Sequence, residues 1–268
     1  MTEENKTNQQ EQPDSPTVAP PEPAEEIESL TKSDAIAGIF SEPGNTFSTI
    51  AGSVKQHYWV LPIIIFIVVN LISAFLFFSD EQLVTEVMDK QLKKVEQRME
   101  ENVKSGSMTQ EEADLALEQS EKFMNPKSVF FLITGYGSGV VLPFILLFVL
   151  SLVYLIALKI LKAEFDYVNI LNVIGLSFIV LAIGKILDVV ISILTGDIST
   201  ISLGLLFNEE SIGESLYKLL SSLDVFTIWF SIIVAIGLSK ISGIKSSVSY
   251  ILVFGIWIVW MLITSFVF

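Results

Sequence analysis

Cysteine is absent from the 268 residues, and histidine occurs once. Without cysteine the chain has no disulfide, thiolate nucleophile or cysteine metal site, and redox chemistry says nothing of its compartment. A lone histidine excludes H-E-x-x-H and similar two-histidine ligand patterns. Charge is scarce too: 17% of residues are charged, where a soluble domain carries about 25%. Basic residues are the scarcer sign, 16 against 30 acids for a net charge of −14. That balance opposes nucleic-acid binding, which needs a basic face. Residues 1–30 lack the apolar core of a cleavable signal peptide.

Apolar residues fill the space these leave, at 51% of the chain. Between Lys127 and Lys159 no charge occurs, and Ser128–Leu158 reads SVFFLITGYGSGVVLPFILLFVLSLVYLIAL. As a helix rising about 1.5 Å per residue, this run exceeds a hydrocarbon core of about 30 Å. A water-soluble helix of that length keeps a polar face, and the alternation of a barrel strand is missing. The run reads as a transmembrane helix.

The same test along the chain gives five spans, at about 58–78, 129–158, 168–195, 224–239 and 247–268. Residues 1–32 read as a disordered acidic, proline-rich arm, either a docking arm or a solvated tether. Residues 33–57 read as amphipathic helices lying in the membrane interface, the first capped by Ser33 and the second presenting Phe47, Ile50, Ala51 and Val54. His57, beside Lys55, Tyr58 and Trp59, reads as an interfacial side chain without chemistry.

Residues 80–127 read as an exposed αα-hairpin. Leu83, Val87, Val95, Met99 and Val103 form its seam, Ser105-Gly106-Ser107 its turn, and Thr109 with Glu112 a capping box. Its twelve acids and seven bases suit an exterior surface that packs on itself, on a second copy or on a partner. Gly135 to Gly139 resembles a phosphate loop only superficially. It lacks the terminal Lys-Ser/Thr and lies in an apolar run, so Gly135 and Gly139 read instead as G-x-x-x-G helix packing.

Lys185 and Asp188 stand in the third span, where an ionisable group costs about 2.5–3.5 kcal/mol at mid-bilayer. Spaced i, i+3, they neutralise one another or line an ion path. Asp224 either caps the fourth span at the outer surface or enters the membrane. In the second case Lys185, Asp188 and Asp224 form one polar cluster. Ser211 with Glu214 offers a cap for an interfacial helix before it, and Trp257 and Trp260, in mid-run, suggest packing between helices. Lys159, Lys162, Lys240 and Lys245 fall on one side of a five-span chain. The positive-inside rule then places the N-terminus in the cytoplasm and the C-terminus outside.

Two stretches carry a family resemblance: IFSEPGNTF at Ile39–Phe47 and DVFTIWFSIIVAIGLS at Asp224–Ser239. With five spans, the chain resembles the Yip (Ypt/Rab-interacting protein) domain family in its bacterial form. The resemblance covers about residues 33–268 and implies a five-span bundle. Eukaryotic relatives bind prenylated Rab-type GTPases in vesicle traffic. The N-terminal motif used there is not evident here, so GTPase binding is not carried over, and bacterial members imply no assigned reaction.

The expected fold is thus all-α: a polytopic, five-helix transmembrane bundle with an exposed hairpin between the first two spans. The expected role is a non-enzymatic membrane adaptor or scaffold in a bacterial cytoplasmic (inner) membrane, without catalytic residues, cofactor or metal. Its partners are the lipid bilayer and a protein or second copy. The alternative is a small-solute or ion transporter using Lys185 and Asp188, with Asn70 and Asn172 as further polar groups. No inverted repeat supports it.

Overall fold

A computed structural model describes Thr2 and residues 30–53, 56–126, 128–196 and 200–266. The arm at 1–29, with Val54, Lys55 and Lys127, lies outside them, Thr2 apart. Eleven α-helices and one 3-10 turn occupy the described residues, which contain no β-strand. Five helices are long and apolar enough to cross a membrane: α3 (Val60–Ser79), α6 (Val129–Ile160), α7 (Tyr167–Thr195), α10 (Val225–Ser242) and α11 (Ser246–Phe266). The chain is an all-α polytopic membrane protein. Boundaries shift by two or three residues at most where described. Pro62 sits in the first turn of α3, where its missing N–H costs nothing, and α6 runs on through Pro143.

The spans are unequal. α7 and α10 form the centre, with 56% and 50% of their apolar windows buried, against 17–22% for α3, α6 and α11. α3 and α6 pack on each other and on α7, while α11 packs on α10. Glycine lets the central pair close up. A Cβ at Gly184 would lie 2.6 Å from the Phe226 ring, and one at Gly237 would meet Val173. The pairs 173/237 and 184/226 are equally spaced on both helices, so α7 and α10 run antiparallel in step for three turns.

At the end where α7 begins, α1 (Lys32–Ser41) and α2 (Pro43–Gly52) close the bundle. Thr31 caps α1 by accepting from the Asp34 N–H at 3.1 Å. Ser33, the expected cap, lies inside the helix because the T-x-x-D pattern beginning two residues earlier takes the orphan donor. Pro43 opens α2 at N1, with its ring pre-set for helix. Ala35, Ile39, Phe47 and Ile50 are fully or almost fully buried and join one core with α7 and α10. The apolar face that reads in sequence as turned to lipid is turned to protein.

At the opposite end stand α4 (Glu81–Lys104) and α5 (Gln110–Phe123), joined through Gly106 at φ 75°. Asp80 caps α4, and Thr109 and Glu112 make a complete capping box on α5. Leu83, Val84, Val87 and Ala113 are buried, while Leu115 and Phe123 remain exposed. A 3-10 turn (Leu203–Leu206), α8 (Glu209–Ile212) and α9 (Glu214–Ser221) fill the connection from α7 to α10. No side chain caps α9: the expected Ser211 cap is replaced by a break at Gly213, φ 83°, which separates α8 from α9.

On α11 the inward positions are Ser249, Val253, Met261 and Ser265, one face at a spacing of four. Trp257 falls near that face, and its ring meets Phe254 edge-on. Trp260 falls off it and is 64% exposed. The expectation that Trp260 packs between helices is therefore wrong, because α11 has neighbours on one side only.

Candidate functional site

Polar groups inside the bundle gather at two levels, one toward each end. Near the start of α7, Asn172 is almost completely buried. Its amide nitrogen donates to the Gln56 carbonyl at 2.8 Å, and its carbonyl accepts from the Trp59 N–H at 3.2 Å. Trp59 begins α3 without a side-chain cap of its own element, so Asn172 supplies one from a distant helix. Beside it the Tyr58 hydroxyl donates to the Leu30 carbonyl at 2.8 Å. These bonds lock the entry to α3 onto α7. In sequence Asn172 stands as a further polar group for the transport alternative. Burial of an amide in an apolar run was the signal that it needed a partner.

The second level contains the three ionisable residues singled out in sequence. Asp224 caps α10, accepting from the N–H groups of Phe226 at 3.0 Å and Thr227 at 2.7 Å. Of its two sequence alternatives, the cap is the observed one. Asp188 is half-buried and accepts from the Ile201 N–H at 3.0 Å. Ile201 in turn accepts from the Val225 N–H at 3.4 Å, Leu203 donates to the Leu223 carbonyl at 3.3 Å, and Ser202 bridges Asp224 in antiparallel fashion. The Asp188 carboxylate, with backbone bonds to the residues around Asp224, thus stitches down one short segment between α7 and α10. Lys185 is exposed and makes no ion pair within 4.0 Å among the described residues. Lys185 and Asp224 nevertheless both lie close enough to act electrostatically on Asp188.

Outside this stitch, charge joins the hairpin to the same connection. Lys94 meets Glu209 at 2.8 Å, Arg98 meets Glu214 at 3.9 Å, and Glu214 also holds Lys218 at 3.0 Å. These ion pairs are solvated and worth little singly, about 0–1 kcal/mol. Together they set where the hairpin leans. Sequence patterning within one helix gives no signal for pairs separated by more than a hundred residues.

Gly135 and Gly139 both face α3. A Cβ at Gly135 would run into the Phe78 ring, and one at Gly139 would touch Asn70 and Leu71 at 3.7–3.8 Å. Asn70 itself donates to the Phe66 carbonyl of its own helix at 2.8 Å. No group of three or more His, Cys, Asp or Glu side chains among the described residues is arranged to hold a metal ion. The Trp59 indole donates to His57 Nδ1 at 3.3 Å, just ahead of α3.

The architecture carries its own classification. A family model of the Yip1 domain matches residues 37–268, every span included. This chain belongs to the Yip1 domain family. No curated protein and no solved structure matches it. For a Yip1-domain chain the arrangement above is a set of joints: polar side chains bind backbone, and the large free surfaces are the hairpin and the lipid-facing flanks.

Proposed function

We propose that this Yip1-domain protein is a non-enzymatic membrane scaffold that works through protein–protein and protein–membrane contacts. The observation that carries the reading is the outer hairpin. α4 extends about 36 Å at 1.5 Å per residue, and most of its charged positions, with those of α5, face solvent. Ion pairs to Glu209 and Glu214 give it a defined lean on the bundle. The pattern suits a rigid arm offered to a second copy or another protein. Transport is the weaker reading, since Asp188, Asn70 and Asn172 are engaged with backbone groups.

Lys159, Lys162, Lys240 and Lys245 cluster at the end closed by α1 and α2, which supports placing that end in the cytoplasm of a bacterial cell. The hairpin then stands on the outer side of the inner membrane. Crosslinking in native membranes, read by mass spectrometry, tests the scaffold. Links from Lys93, Lys104 or Lys122 to another chain are expected. Finding only links within one chain would remove the proposal.

A further inference from the structure

Along α10, the polar features that mark the two ends are closer together than a bilayer is thick. On the outer side the level is set by the stitch just described. Asp224 begins α10, and Asp188 holds the Ile201 backbone about two turns short of the end of α7 at Thr195. Non-helical backbone in this segment has to lie in or near the interface, because hydrocarbon offers it no partners. Leu205, Leu206 and Phe207, all exposed, furnish the apolar side chains that seat such a segment there.

On the inner side the level is set by α1 and α2. Phe47 of α2 lies 3.1 Å from where a Cβ on Gly237 would stand, and Val173 of α7 meets the same glycine. The Phe40 ring at the end of α1 reaches Trp229, centroids 5.5 Å apart. The outward skin of this helix pair is polar: Ser41, Glu42, Asn45 and Ser48 are exposed, with the Asn45 amide donating to Glu42 at 2.7 Å. The Lys240 stem passes beside Gly44, its Cε 3.4 Å from a Cβ there, at the same end.

From Asp224 to Gly237 along α10 is about 20 Å at 1.5 Å per residue, whereas α7 runs on past Asp188 to Thr195 with Val190, Ile193 and Leu194 exposed. An ordinary hydrocarbon core is about 30 Å. The other flank has no such shortfall. α3 alone spans about 30 Å, and it exposes Ile64, Val68, Ile72 and Phe75 along its length, as α6 exposes Val141, Phe148, Leu152 and Ile156. Tilt of the whole bundle makes the short flank shorter still relative to the bilayer, so it cannot correct both flanks at once.

We infer that this protein seats in, and locally imposes, a bilayer thinned on the flank where α1 and α2 cover α10. Its lipid partner is a thin or short-chain bilayer, and the polar skin of α2 is the part that reads thickness. A hydrophobic height below that of the surrounding membrane is met by thinning of the lipid, at a cost that grows with each ångström of mismatch.

The test uses the full chain in unilamellar vesicles of phosphatidylcholine with monounsaturated chains of increasing length, about 14 to 22 carbons. The thermal unfolding midpoint is expected to be highest at the short end and to fall by about 5 °C or more at the long end. The combined variant Glu42→Leu, Asn45→Leu, Ser48→Leu makes the α2 skin apolar, and its optimum moves to longer chains. A midpoint independent of chain length, or highest in the thickest bilayers, overturns the inference. If the combined variant fails to fold, single cysteines in this cysteine-free chain decide the matter. Ser48→Cys and Val225→Cys are both expected to react rapidly with a water-soluble maleimide, each from its own side of the vesicle. Protection of Ser48→Cys by lipid refutes the inner boundary.

Discussion

Asn172 shows what a single polar side chain does in this bundle. In sequence it is one amide among apolar residues, as compatible with an ion path as with a joint. Its two bonds go to the Gln56 carbonyl and the Trp59 N–H, so its work is to satisfy backbone where α3 begins. Replacing it with leucine keeps the volume but leaves a buried donor and acceptor unpaired. Asn172→Leu is expected to lose about 1–3 kcal/mol of stability, measured by denaturant unfolding in detergent micelles. Asp188 makes the same point at the other end. Its i, i+3 relation to Lys185 suggests a local ion pair or an ion path, and Asp224 a wider polar cluster. The partner it takes is Ile201, thirteen residues on and brought back by the chain's return. Since Ile201 also accepts from Val225 beside Asp224, the segment held by Asp188 is tied to the start of the helix that Asp224 caps. Asp188→Ala and Asp224→Ala are expected to be non-additive by about 0.5–3 kcal/mol in a double-mutant cycle. Additive losses would separate them.

Among the elements, the hairpin was the most legible because its signals are local. Thr109 and Glu112 spell a capping box, Gly106 supplies the turn, and both are where sequence placed them. Local signals also misled where two competed, as with Thr31 over Ser33, or where a glycine broke the chain after a plausible cap, as with Gly213 after Ser211. Hydropathy could not say whether the apolar face of α1–α2 meets lipid or protein, since both bury the same side chains. The capping box makes a pH prediction. Hydrogen bonds from the Thr109 N–H and hydroxyl hold the Glu112 carboxyl below its ordinary value of 4.5. Lys122 does the same for Glu118 and Lys218 for Glu214. Each is a lowered carboxylate, so its contribution is complete above about pH 4.5 and is lost as pH falls through the depressed folded value. Amide exchange at the start of α5 is expected to gain an added acceleration below that pH, beyond the intrinsic trend of a free peptide. Glu112→Gln removes the titrating group, and its profile is expected to lose most of that added step.

For the molecule as a whole, the number of spans follows from hydropathy, and their order around α7 does not. Mean hydropathy does not single out α7, whose value of 2.3 lies between those of the other spans. What makes α7 central is the placing of Gly175, Gly184 and buried Ser177 on faces that neighbours can approach closely, a pattern legible only once the neighbours are known. Five crossings place the α1–α2 end and the hairpin on opposite sides of the membrane, whichever side is inside. The proposed orientation, with the α1–α2 end in the cytoplasm, rests on the lysines. Lys159 lies in the last turn of α6 with Lys162 just beyond, and Lys240 lies in the last turn of α10 with Lys245 just beyond, each close to a span where the positive-inside bias acts most strongly. The hairpin bases belong to a long loop, which follows charge less strictly. Because the chain has no cysteine, Ser33→Cys and Ser107→Cys report each end without background. In sealed right-side-out membrane vesicles an impermeant maleimide is expected to label Ser107→Cys and spare Ser33→Cys, and in inverted vesicles the reverse. Labelling of both from one side would require an even number of crossings between them, which α3 as a complete span forbids.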